Sequence, residues 1–474
     1  MTPDERMTVM KNETIAAIAT AVSNSGISII RISGEDAISV ADCCFYTKSH
    51  KQILKNVPSH TIHYGFIYDG EEFVDEVMVS VMKAPKSFTT EDTVEINCHG
   101  GMLVTRKVLD TIIKHGARLA QPGEFTKRAF LHGRIDLTKA EAVMDFIEAE
   151  SDFALKNSAA QLKGDLFEKI DGMRKKIIYE IAFIESAIDD PEHISLDGYT
   201  DRLSNVVSDV LLQVEHLLSK AEDGRIMKEG IRTVIVGKPN AGKSSFLNTL
   251  LGYEKAIVTD IAGTTRDVLE ETIRLKGVTL HLIDTAGIRQ TDNLVEKIGV
   301  DRAKEYAKNA DLILYVVDAS DMLTQEDMEI MELLQDKKCM VLLNKSDLKT
   351  FITEEDMRLK LLESGLKINP VIIKTSAKEK LGIDNFENKL EEMFFSGKID
   401  FHQEIYITNL RHKEALYQTK ESLMLVQRSI ADDMPEDFYS IDLMNAYTSL
   451  GLIIGEEVED DLAQEIFSKF CMGK

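Results

Sequence analysis

An apolar run, Ile231–Val236, leads directly into Gly237-Lys238-Pro239-Asn240-Ala241-Gly242-Lys243-Ser244, and a helical pattern follows from Ser244 to Leu251. This is G-x-x-x-x-G-K-S between a strand and a helix, the context in which that pattern marks a P-loop. It constrains the fold more than any other stretch. Its glycines let the backbone close around phosphates and point N–H groups at them. Lys243 supplies a point charge for the β- and γ-phosphates, and Ser244 offers its hydroxyl to Mg²⁺.

The chain around the loop fits this reading. From residue 231 to about 396, apolar strands alternate with helices, as a mainly parallel α/β sheet requires. Strand candidates are Thr233–Val236, Leu280–Ile283, Leu312–Val317, Val341–Leu343 and Val371–Ile373. Three more motifs sit at strand ends. In Asp284-Thr285-Ala286-Gly287 the acid can hold the hydration shell of Mg²⁺ and the Gly287 N–H can meet a γ-phosphate. In Asn344-Lys345-Ser346-Asp347 the Asp347 carboxylate can accept from two adjacent N–H groups of guanine, which adenine does not offer. Ser376-Ala377-Lys378 would close over the base. The expected ligand is therefore GTP rather than ATP. Its contacts are expected at Asn240, Ala241, Gly242, Lys243, Ser244 and Ser245, and along the loop Thr259-Asp260-Ile261-Ala262-Gly263-Thr264-Thr265. The three strand-end motifs complete the set, with Thr265 as the second Mg²⁺ ligand. Ile288 follows Gly287 where Ras-like switches carry a water-orienting Gln, and it cannot polarise water. Hydrolysis then needs a nearby acid, a cation or a second subunit. Glu296 is the first acid beyond Asp292; read alone it is an ordinary solvated carboxylate.

The flanks differ. Residues 14 to about 135 read as a mixed α+β domain, with β-rich runs at Ile27–Ile32, Val77–Met82 and Val94–Cys98 and a helix from Leu103 to Lys114, stopped by Gly116. The run Val77–Met82 alternates less cleanly than a half-buried strand should. Thr138-Lys139-Ala140-Glu141 reads as a capping box. Apolar residues then recur on one helical stripe through Leu162, Leu166, Ile170, Met173, Ile177, Ile181, Ile184 and Ile188, ended by Pro191. A second amphipathic helix fits Leu203 to Ala221, with Val206, Val210, Val214, Leu217 and Leu218 inward. The chain turns helical again after Phe401. The economical fold is multidomain α/β plus α: an N-terminal α+β domain over 1–135, a helical bundle formed by 136–228 and 399–474, and a Ras-like nucleotide domain inserted at 229–398.

Composition narrows the partners. The 474 residues carry 80 acidic against 56 basic side chains, a net charge of −24, which argues against binding nucleic acid by bulk charge alone. A local basic patch or a basic partner would be needed. The five cysteines are irregularly spaced, without C-x-x-C, which speaks against a disulfide framework or a zinc site and for a reduced, cytosolic setting. No basic-then-apolar leader opens the sequence, and no apolar stretch reaches the roughly 18 residues that span a bilayer.

Several stretches resemble one family: Gly26–Gly34, Ser87-Phe88-Thr89-Thr90-Glu91-Asp92, His99-Gly100-Gly101, Gln121–Leu131, Thr259–Asp267, Asp284–Ile288 and the chain end Phe470-Cys471-Met472-Gly473-Lys474. Together they look like the bacterial tRNA-modification GTPase family MnmE (TrmE), along essentially the whole chain. The sequence departs from the family pattern at Val22-Ser23-Asn24-Ser25, often a Gly/Arg-rich turn, and at Met472. The resemblance implies a homodimer built by the N-terminal domains, with a reduced-folate site there. With the flavoprotein MnmG, which carries the FAD, the family installs an aminomethyl or carboxymethylaminomethyl group at C5 of uridine 34 of certain tRNAs, folate supplying the one-carbon unit. It implies K⁺-stimulated GTP hydrolysis, with K⁺ at Asn240, Thr259, Ile261 and Thr264, and Glu296 as the catalytic glutamate. It puts folate contacts at Arg31, Glu95, Arg134 and Lys474, and a catalytic thiol at Cys471. The competing reading of Cys471 as a prenylation site fails, because Gly473 and Lys474 do not fit that motif. Alternatives of another class are a GTP-switched ribosome-assembly factor and a nucleotide-regulated scaffold.

Overall fold

The computed structural model describes residues 13–149, 151–190, 192–193, 195, 197–253, 271–275, 278–283, 307, 309–335, 337–366, 370–394, 405–456, 466–468, 470 and 473. They form two compact units. One draws on Met1–Met144, Gln161–Val210 and Gln418–Lys474; the other on Asp145–Ala160 and Leu211–Tyr417. Short pieces expected in the helical bundle, 145–160 and 405–417 among them, thus group with the nucleotide domain.

The first unit is built on a sheet of seven strands: β1 (Ile15–Ile18), β2 (Ile27–Ser33), β3 (Phe45–Tyr46), β4 (Thr61–Asp69), β5 (Glu72–Met82), β6 (Thr93–His99) and β7 (Arg118–Leu119). Their order is β3-β4-β5-β6-β2-β1-β7, antiparallel except for β1 with β7. Helices Ala37–Cys44 and Met102–Lys114 pack on one face, burying Ile30, Ile32, Val79, Ile96, Val108 and Ile112. Strand β5 does alternate: Asp75, Val77, Val79 and Val81 point inward. The pattern is blurred in the sequence because the outer face is apolar too, with Ile62, Tyr64, Phe73 and Met78 exposed.

The same unit holds the helices Asp165–Asp189 and Glu436–Ile454, packed on each other. The expected stripe is buried from Leu166 to Ile184, but Ile188 is exposed and Leu162 belongs to a separate helix, Asp152–Lys163. Gly164, at φ 101°, breaks the run between them. Arg174, buried inside this pair, lies over the Tyr447 ring at 4.1 Å and pairs with Glu456. Two other helix readings are corrected. Helix Leu137–Ile147 begins before Thr138, and its cap is Asp136, whose Oδ1 accepts the Lys139 N–H at 3.0 Å; Thr138 is buried within the first turn. In helix Tyr199–Ser219 the inward residues are Leu203, Val207, Val210, Val214 and Leu217, so Val207 replaces Val206 and restores an even 3.6-residue period.

The second unit contains a six-stranded sheet of β8 (Ile231–Val236), β9 (Glu271–Leu275), β10 (Val278–Leu282), β11 (Leu312–Asp318), β12 (Cys339–Asn344) and β13 (Val371–Lys374). The order is β13-β12-β11-β8-β10-β9, parallel except for the β9–β10 pair. Strands β8, β11 and β12 are buried on both faces, which is why they read as continuous apolar runs. One face packs Phe246, Leu250, Phe386 and Leu390; the other packs Met331, Leu334, Met357 and Leu361. Among the described residues, no helix is long and apolar enough to cross a membrane.

Candidate functional sites: a nucleotide loop and a clasped chain end

The P-loop leaves β8 and enters helix Lys243–Tyr253. Three residues in it have positive φ: Gly237 at 153°, Asn240 at 61° and Gly242 at 98°. Two of the glycines are sterically required. A Cβ on Gly237 would lie 2.3 Å from the Val316 carbonyl, and one on Gly242 would lie 2.1 Å from Asn344 Nδ2. The Lys243 ammonium donates to the Gly237 and Lys238 carbonyls at 2.6 and 2.8 Å, so its charge is held over the loop. Ser244 opens the helix beside it, and Ser245 is exposed. A triphosphate with Mg²⁺ fits a loop shaped by two glycines that carries an ammonium and a hydroxyl.

The motifs expected to meet the base converge on the same edge. Buried Asn344, at the end of β12, donates from Nδ2 to the Ala241 carbonyl at 2.9 Å and accepts the Ala377 N–H on Oδ1 at 3.1 Å. One side chain therefore joins the phosphate loop to the segment Ser376-Ala377-Lys378. Asp347 Oδ1 accepts from the Ser376 hydroxyl at 2.6 Å, which holds its carboxyl below the usual aspartate range. It remains exposed, an ionised acceptor facing solvent. Lys345, at φ 58°, pairs with Asp318 at 2.5 Å. The sequence reading assigned nothing to Asp318 or to Thr249, whose hydroxyl donates to the Ala377 carbonyl at 3.0 Å; neither belongs to a spaced motif. The segment Thr259–Thr265, the motif Asp284–Gly287, Ile288 and Glu296 lie outside the described residues.

In the first unit, Arg31 on β2 stands opposite Glu95 on β6 in register. Its Nε donates to Glu95 Oε1 at 2.8 Å and its Nη1 to the carbonyl of Gly473 at 3.1 Å. Both side chains of the ion pair are about a quarter exposed, at 22% and 24%. Arg31 also lies over the Phe125 ring at 5.7 Å. Arg134 is held elsewhere, donating to the Phe88 carbonyl at 2.7 Å with its guanidinium 5.0 Å from that ring. Phe88 and Phe125 meet in one small apolar cluster with Ile15, Ala17 and Ala120. A reachable carboxylate, an arginine and an aromatic edge suit a flat, hydrogen-bonding heterocycle, with Arg134 standing apart on Phe88. Lys474 and Cys471 lie outside the described residues.

Around this cluster the family-like motifs serve as a brace. Arg128 donates to both Glu91 oxygens at 3.0 and 3.1 Å, to Glu124 at 2.9 Å and to the Glu13 carbonyl at 2.9 Å. Arg118 donates to Glu124 from the other side at 2.8 Å. Cys44, Cys98 and Cys339 are buried, which pushes their thiols up to about 12, 11 and 11, out of nucleophilic range. Among the described residues no cluster of His, Cys, Asp and Glu could hold a metal.

The model for the GTP-binding protein TrmE N-terminus matches residues 14–134, and the MnmE helical domain model matches residues 137–471. The tRNA modification GTPase MnmE of Lachnoclostridium phytofermentans is 57% identical over 465 residues, covering 98% of this chain and 100% of that one. Its counterpart in Lactobacillus gasseri is 48% identical over 464 residues, covering 98% of each. A solved structure of translation elongation factor SelB from Methanococcus maripaludis, bound to a GTP analogue, is 25% identical over 36% of this chain and 35% of that chain, with a TM-score of 0.26, too low to bear on the fold. With matches spanning both flanks and the nucleotide domain between them, the chain belongs to the MnmE (TrmE) family of tRNA modification GTPases.

Proposed function

We propose that this protein is a K⁺-stimulated GTPase that acts with the flavoprotein MnmG on tRNA, adding an aminomethyl or carboxymethylaminomethyl group at C5 of uridine 34 with a one-carbon unit from reduced folate. The observation that carries the reading is Arg31 clasped between Glu95 and the carbonyl of Gly473, because it joins the N-terminal motifs to the chain-end motif that together distinguish this family from other GTPases. Arg31, Glu95 and Arg134, with Lys474, are the residues to hold the folate, and Cys471 is its neighbour in the chain-end motif. Guanine selection falls to Asp347, with Asn344 fixing the loops around it. Mg²⁺ is assigned to Ser244 and Thr265, K⁺ to Asn240, Thr259, Ile261 and Thr264, and activation of water to Glu296. Bound K⁺ would supply positive charge where negative charge develops on the phosphates. The apolar outer face of the N-terminal sheet, at Ile62, Tyr64, Phe73 and Met78, supports a homodimer through that domain. The cytoplasm is the compartment where tRNA and MnmG are met; the FAD belongs to MnmG alone.

Nucleoside analysis of tRNA from a strain lacking the gene tests the reading. Loss of the C5 substituent at the wobble uridine is expected, and unchanged wobble nucleosides would sink it in favour of an assembly or scaffold role. GTP turnover in KCl should exceed turnover in NaCl; equal rates would remove the K⁺ assignment. Titration with 5-formyltetrahydrofolate should give saturable binding, and its absence would remove the folate site.

A further inference from the structure

The P-loop holds two lysines, and phosphate chemistry explains only Lys243. Lys238 turns its ammonium away, onto Asp327 Oδ2 at 2.8 Å, with the Met322 carbonyl at 3.3 Å. Asp327 lies on helix Gln325–Glu332 and is 1% exposed. Its Oδ1 accepts the Tyr315 hydroxyl at 2.9 Å and its Oδ2 also accepts the Thr324 N–H at 2.7 Å. A buried carboxylate with this many partners has one geometry, so it is a fixed point in the scaffold. Meanwhile the Lys238 carbonyl accepts from Lys243 Nζ at 2.8 Å and from the Ala241 N–H at 3.3 Å. One residue thus joins the scaffold through its side chain and the phosphate-binding lysine through its backbone. Across the turn Ala241 is held by Asn344, and between the two anchors sits Asn240 at φ 61°.

We propose that Lys238 is a positioning residue for GTP hydrolysis: its ion pair with buried Asp327 holds the P-loop turn, and with it Asn240 and Lys243, in the reacting geometry. This rests on the reading of the nucleotide domain as a GTPase. A misplacement of about 1 Å in such a loop costs up to roughly a hundredfold in rate.

The test uses the full-length chain with Lys238→Met, Lys238→Arg and Tyr315→Phe. Steady-state kcat and KM for GTP, binding of a fluorescent GDP and thermal unfolding are measured for each. Lys238→Met should lose about ten- to a hundredfold in kcat while GDP affinity moves less than about threefold. Lys238→Arg should recover most of the rate, since a guanidinium also reaches the carboxylate. Tyr315→Phe should show a smaller loss of kcat. A Lys238→Met protein that melts earlier but turns over at the wild-type kcat makes the pair merely structural and overturns the proposal. Should Lys238→Met not fold, Tyr315→Phe decides: reduced kcat supports the proposal and wild-type kcat overturns it. A wild-type protein that neither binds nor hydrolyses guanine nucleotide would instead remove the GTPase reading, and the proposal with it.

Discussion

Arg31 donates a hydrogen bond to the carbonyl of Gly473 at 3.1 Å across 442 positions of sequence. The contact is tight on both sides. Gly473 has φ 93°, and a Cβ there would lie 2.3 Å from the Ile18 carbonyl on β1. A few residues earlier, the chain end passes Gly123, where a Cβ would meet the Phe467 carbonyl at 2.5 Å and Phe470 Cβ at 2.9 Å. Gly123 belongs to Gln121-Pro122-Gly123-Glu124-Phe125, so the absence of a side chain in that motif serves the chain end. Phe467 and Phe470 complete the seat by packing with Leu137, Ala140 and Met144.

The first prediction tests this seat. Gly473→Ala combines a left-handed backbone, strained by roughly 1–3 kcal/mol in a non-glycine residue, with a steric clash. The chain end should detach, becoming sensitive to carboxypeptidase, and tRNA modification should fall while GTP turnover stays near wild type. A protected chain end with full modification would refute the role given to Gly473.

Asp347 is held as an ionised acceptor by Ser376. In Asp347→Asn a carboxylate oxygen becomes an N–H donor facing the N–H donors of guanine. GTP affinity should drop at least about a hundredfold, the penalty for an unmatched polar site. Xanthosine triphosphate, which offers a carbonyl there, should bind better than GTP. Competition against a fluorescent nucleotide reads both effects.

Asn240 has φ 61°, which glycine adopts freely. Asn240→Gly should therefore keep the loop and bind GTP within about threefold of wild type. If its side chain is a K⁺ ligand, the advantage of KCl over NaCl in turnover should disappear. An undiminished K⁺ response would strike Asn240 from the ligand set.

Glu124 contributes acid sensitivity to the N-terminal domain. Burial pushes its carboxyl up, but hydrogen bonds from Arg118, the Gln121 N–H and Arg128 outweigh burial and leave it below the usual glutamate value. A carboxyl depressed in the folded state stabilises fully above its unfolded value and loses that contribution as pH falls through its folded value. The domain should thus lose stability below about pH 4.5. Glu124→Gln should cost about 3 kcal/mol at neutral pH by leaving two arginines short of a partner, and should show a shallower acid decline. Thermal unfolding across the pH series measures both.

Much of the nucleotide domain was legible because its chemistry lies in contiguous stretches. Strands β8, β10, β11, β12 and β13 showed as apolar runs, and each described motif stands at or just beyond the C-terminal end of one of them. Strand β9 escaped notice because it pairs antiparallel with β10, outside the alternation of strand and helix. In the N-terminal domain β1, β3, β4 and β7 were missed: three have four residues or fewer, and β4 carries aromatics on a face that stays exposed. The cap at Asp136 and the inward turn of Val207 were missed because a one-residue shift of a helix start or stripe changes little in a sequence pattern and much in packing.

The sequence alone carried the P-loop pattern, the expectation of a guanine-selecting carboxylate at Asp347 and the motifs that mark the family. How distant residues share their work emerged in the fold: Asn344 tying the Ser376-Ala377-Lys378 segment to Ala241, Arg31 holding Gly473, and Asp327 anchoring Lys238. Backbone geometry within a loop is a local property, which residue types and their spacing encode directly. An ion pair or a steric fit between segments hundreds of residues apart depends on where the packed core brings them, and spacing along the chain carries no trace of that.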